Sequence, residues 1–116
     1  MNDSILASVK AGIATMNYTA FDSELIQYIN TFLSILNRIG VGTEGFIVTG
    51  DSETWDDFIG EGVWIPECET WLKLKVMQVF DTSASSVKAQ ALSESIAELT
   101  WYIDTAVKYG NGDTNV

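Results

Sequence analysis

The chain is short of the residues that do chemistry. It has no histidine, the commonest general base and metal ligand. Its one cysteine, Cys68, has no histidine partner to activate it and falls inside an apolar helical stripe, so it reads as a buried structural thiol. A single cysteine also excludes an internal disulfide framework and suits a reducing compartment. Asp56 and Asp57 are adjacent, so on a helix they diverge and do not form a carboxylate pair. Glu67 and Glu69 beside Thr70 fit the start of a helix better than a metal site. Asp51–Glu61 lacks the alternating oxygen ligands of a calcium loop. Glycines 40, 42, 45 and 50 belong to no phosphate-binding motif. The reading is therefore not an enzyme, with no catalytic, cofactor-binding or metal residues and no cofactor.

The formal charge is −10, from 16 acidic and 6 basic residues. Gripping nucleic acid through its phosphates takes clustered Lys and Arg, which this chain lacks. The charge does suit a surface that DNA passes without sticking, although solubility alone explains it equally well. No apolar run approaches a membrane span, and no basic and apolar leader opens the chain. The 116 residues, 47% of them hydrophobic with a single proline, read as one globular domain over 1–109 and a flexible C-terminal tail over 110–116.

The elements are organised around Asp22–Arg38. Asp22 is placed to cap a helix, Glu24 sits in its first turn, Arg38 in its last, and Gly40 supplies the stop. At about 100° per residue, Leu25, Ile29, Phe32, Leu36 and Ile39 fall on one stripe. Ile26 and Leu33 flank it on one side, Tyr28 and Ile35 on the other. Roughly half the circumference is then apolar, wider than one small core needs. Either this is a central core helix, or one flank also meets a neighbouring subunit.

A short helix over Asp3–Lys10, capped by Asn2 or Asp3 and ended by Gly12, precedes it, with Thr15–Ala20 as linker. After Gly42 comes the β-prone run Phe46-Ile47-Val48. Asp51 or Ser52 then caps a short helix over Glu53–Ile59, with Trp55 and Phe58 on one face. Val63-Trp64-Ile65 reads as a second short strand or an extended wall. Glu67–Phe80 alternates in part like a strand, but its length, its helix formers and Pro66 ahead of it favour a helix. That helix is apolar almost all round, so it is deeply packed or touches a partner. Asp81-Thr82-Ser83 is a turn. A last helix, capped by Ser83, Ser85 or Ser86, runs to about Lys108 with Leu92, Ile96, Leu99, Ile103 and Ala106 on one face. Trp101 falls on the opposite side, either as a half-exposed aromatic or as a contact anchor. The fold class is mainly α, a small bundle of four to five helices with a short extended, β-hairpin-like excursion between the central ones. With no chemistry to position, the candidate residues are interface residues: Trp101, Tyr102, Trp55, Phe58, Trp64, Ile35 and Leu33.

The motif order resembles a known family. Thr19-Ala20-Phe21-Asp22-Ser23-Glu24-Leu25-Ile26, Ile29-Asn30 and Leu36-Asn37-Arg38-Ile39-Gly40-Val41-Gly42 are similar to the head–tail connector (adaptor) proteins of long-tailed bacteriophages. Thr54-Trp55-Asp56-Asp57-Phe58, then Trp71–Phe80 ending in Phe80-Asp81, then Glu98-Leu99-Thr100-Trp101 continue the resemblance, which covers about residues 3–104. Thr82 and Ser83 stand where the family often has prolines, and Tyr102 where it often has an arginine. These departures bear on the detail of portal contacts, not on the fold.

The resemblance implies a virion structural protein at the head–tail interface, present in the host cytoplasm during assembly. It implies a homo-oligomeric ring beneath the portal, matching its twelvefold symmetry. Such a ring extends the DNA channel without specific DNA binding and docks the next stopper, head-completion or tail protein. The C-terminal helix would meet the portal. The loops around Gly40–Gly50 and Glu61–Pro66 would line the channel or face the tail. Two other readings are an acidic inhibitor that mimics DNA and a different completion protein, a stopper or terminator. The first needs acids in a regular array, whereas here many sit at helix starts. The second is typically richer in strands.

Overall fold

The computed structural model describes residues 4–11, 21–60, 66–80 and 86–109. Five helices follow in order: α1 Ile5–Ala11, α2 Asp22–Ile39, α3 Trp55–Ile59, α4 Glu67–Phe80 and α5 Ser86–Tyr109. The only β pairing among the described residues is an isolated antiparallel bridge between Ser4 and Thr54. The mainly helical bundle is thus as the sequence predicts.

α1 buries Ile5, Leu6 and Val9. Its described cap is Ser4, whose Oγ accepts from the Ala7 N–H at 3.1 Å. Asn2 and Asp3, Gly12 and the linker Thr15–Ala20 lie outside the described residues, as do the turn at 81–83, Ser85 and the tail 110–116.

α2 ends as predicted. Gly40 is left-handed at φ 119°, and its N–H reaches the Leu36 and Asn37 carbonyls. Its start differs. Asp22 is the first helical residue, and Phe21 holds the cap position without a side-chain hydrogen bond. The Asp22 carboxylate instead meets Lys10 of α1 at 2.8 Å. A carboxylate in the first turn still suits the helix dipole, so Asp22 serves the helix and joins two elements at once.

In the excursion after α2, Phe46, Ile47 and Val48 are non-repetitive and pair with no strand among the described residues; Val63-Trp64-Ile65 lies outside them. The Asn30 side chain holds Val48 instead. Its Nδ2 donates to the Val48 carbonyl at 3.0 Å, and its Oδ1 accepts the Val48 N–H at 2.8 Å. One amide satisfies both backbone groups of a residue whose side chain is buried.

α3 starts later than Glu53. Thr54 is its cap and forms a reciprocal pair with Asp57, each side chain accepting the other's backbone N–H at 3.1 Å. Glu53 lies outside the helix and gathers the loop. The Thr49 hydroxyl donates to its carboxylate, as does the Gly50 N–H, and this hydrogen bonding holds the carboxyl below its usual range.

α4 is helical over the range the sequence predicts. It packs against α1, α2 and α5, which explains its apolar residues on nearly every side. Cys68, Trp71, Leu72 and Val76 are buried. α5 lies chiefly along α4, with Ile96 and Ile103 buried and Leu92, Leu99 and Ala106 packed against the core. One contiguous hydrophobic cluster joins all five helices.

Candidate functional site

The described residues hold no group of acids, histidines or cysteines able to bind a metal, and no buried polar or charged residue. Cys68 is 1% exposed, and burial pushes its thiol up to about 12, with the Glu67 carboxylate adding to the shift. A thiol held neutral this firmly is no nucleophile at ordinary pH. No described helix is long and apolar enough to cross a membrane. What the molecule offers is surface.

The seven sequence candidates separate into core and surface. Leu33, Trp55 and Phe58 are wholly buried in the subunit's own core, so none is an exposed anchor for a partner. Trp55 donates its indole N–H to Ser8 Oγ at 3.0 Å, and Ser8 donates onward to the Ile5 carbonyl. Phe58 packs edge-on to Trp55 and Phe46. It also lies so close under Gly42 that a Cβ there would sit 2.2 Å from the ring. Their spacing predicts a shared face correctly; periodicity does not say what covers it. Ile35 is half-buried against the core, and Trp64 lies outside the described residues.

Trp101 and Tyr102 are surface residues, 61% and 49% exposed. Their rings meet edge to face with centroids 5.2 Å apart. Trp101 lies opposite Ile96 and Ile103 on α5, one turn beyond Ala97 and Glu98. By contrast Trp71 of α4 is buried and donates to Thr100 Oγ1 at 2.8 Å, while Thr100 donates to the Ile96 carbonyl. Adjacent segments of α5 therefore carry one tryptophan outward and seat another inward.

A second surface feature escapes motif reading. The outer side of α2 and the loop after it enclose a groove of about 620 Å³ lined by Asn30, Ser34, Arg38, Glu44, Phe46 and Ile47. Arg38 is exposed, is the sole arginine of the chain, and makes no ion pair with any described residue. Ile47 is 57% exposed. The alternation of Phe46-Ile47-Val48 carries the signal: with Val48 held inward by Asn30, Ile47 must turn outward.

The chain matches no curated protein and no solved structure. A family model described as phage connector protein matches residues 5–110. That match takes in all five helices, both the core and the exposed face of α5, and so the chain belongs to the phage connector protein family.

Proposed function

We propose that this connector is an adaptor subunit that assembles as a closed ring beneath the portal. The ring continues the DNA channel and presents a docking surface to the next head-completion or tail protein. The observation that carries the reading is the exposed aromatic surface of α5. Trp101, Tyr102 and Tyr109 are 49–66% exposed on a subunit whose core is otherwise filled. Aromatic side chains of this size are enriched where proteins meet, because burying them removes a large apolar area from water. The C-terminal end of α5, with Tyr109, is the part assigned to the portal. The helical architecture favours an adaptor over a strand-rich stopper or terminator.

The excess of acid suits a lumen that repels the DNA backbone, so acidic residues should predominate on the inner wall. The test is to mix the protein with the portal of the same phage and measure mass and shape by native mass spectrometry and negative-stain imaging. A ring stacked on the portal is expected. A chain that stays monomeric with the portal present, or a ring with a basic lumen, would overturn the reading.

A further inference from the structure

We infer that neighbouring copies in the ring join by seating Trp101 of one subunit in the Arg38 groove of the next, with Glu98 meeting Arg38. This deepens the ring reading and rests on it. Three observations support the pairing.

The first is charge. A subunit of net charge −10 repels its own copies, so a contact between them gains from bringing an uncommitted cation to a carboxylate. Lys10, Lys73 and Lys108 are already paired within the chain, Lys75 lies over the Phe32 and Trp71 rings, and Lys88 is engaged as well. Arg38 is exposed and unpaired among the described residues, and its planar fork suits a carboxylate. Glu98 is likewise exposed and in no ion pair with a described residue. It lies one turn from Trp101, so one approach delivers both. Glu44 shares the groove lining, so the incoming carboxylate must enter at the Arg38 end.

The second is fit. The groove has apolar walls at Phe46 and Ile47 and a volume ample for one indole ring. Trp101 is 61% exposed with the Tyr102 ring edge-on beside it, so the indole stands proud of the helix with one aromatic neighbour. Its indole N–H can donate to the Asn30 or Ser34 oxygens that line the groove.

The third is direction. Asn30, Ser34 and Arg38 are on the side of α2 turned from the core, and Glu98 and Trp101 on the side of α5 turned from it. α4 packs against both helices. α2 and α5 also touch directly, so the two patches are distinct outward surfaces on neighbouring helices. A head-to-tail interface between two unlike patches of one subunit makes a ring when the rotation closes.

The experiment is a charge exchange, read by ring formation on the portal of the same phage in native mass spectrometry. Arg38→Glu and Glu98→Arg alter exposed side chains, so helical circular dichroism should match the wild type. Each single variant should lose the ring, and the double variant R38E/E98R should regain it. Trp101→Ala should lose it too. Rings that persist in the single variants, or a folded double variant that does not regain the ring, would overturn the pairing and leave the connector reading standing. A wild-type chain that forms no ring overturns both.

Discussion

Gly42 is held by two constraints at once. Its φ of 80° is left-handed, and its missing side chain leaves room for the Phe58 ring. Gly42→Ala meets strain and a core clash together, and should cost at least about 2 kcal/mol, read as a fall in the midpoint of chemical denaturation. Leu33 and Ile35 separate by the same reasoning. Leu33→Asp buries a charge in the core and should leave no folded monomer, whereas Ile35→Asp, at a half-buried site, should remain folded with a lower melting temperature. Cys68 gives a pH signature. Its thiol is raised from 9.0 to about 12 in the folded chain. The stability it contributes is complete below the unfolded value and is lost as pH climbs through the folded one. The wild type should therefore lose stability between those limits more steeply than Cys68→Ala, and a thiol reagent should label Cys68 only after denaturation.

At the scale of elements, the loop between α2 and α3 depends on side chains rather than on a ladder. Asn30→Ala leaves the buried Val48 backbone without its two partners and should cost about 1–3 kcal/mol, with faster hydrogen exchange confined to the loop. Thr54→Ala removes one half of the cap of α3 and should cost about 1 kcal/mol. These two features also mark where the sequence stops being legible. The long helices were readable because period and stop residues agree: α4 runs over its predicted range and α2 ends at Gly40 as predicted. The helix starts were less so, since several residues near each could cap, and the choice falls to tertiary partners. Asp22 turns to Lys10, and Glu53 to Thr49 and Gly50. That the β-prone run is held by a side chain was not legible, because Asn30 lies far from Val48 in sequence. Of the candidate site, the outward Trp101 followed from the helix wheel. The groove did not, since it is shaped by a loop folding back over α2.

For the whole molecule, the wide apolar arc of α2 has a simpler account than a second interface. α1, α4 and α5 all pack on it, and Leu33 is consumed by the core. The surface open to a partner is narrower than the sequence implied, and its main features are the exposed aromatic side chains of α5 and the Arg38 groove. Salt screens both the Arg38–Glu98 attraction and the repulsion between subunits of net charge −10, so the advantage of the wild type over Arg38→Glu in fraction of ring should narrow as ionic strength is raised, measured at fixed protein concentration. An advantage indifferent to salt would point to a purely apolar contact.

The Asn30 clasp on Val48 has a consequence for encounters between copies of the chain. Phe46-Ile47-Val48 is the kind of short β-prone segment that, left open, recruits identical segments edge to edge. Any chain at high concentration meets its own kind constantly. By occupying the Val48 N–H and carbonyl from within the same chain, one amide side chain closes that template to other copies. Asn30 thereby guards against self-recruitment as well as holding the fold of each chain.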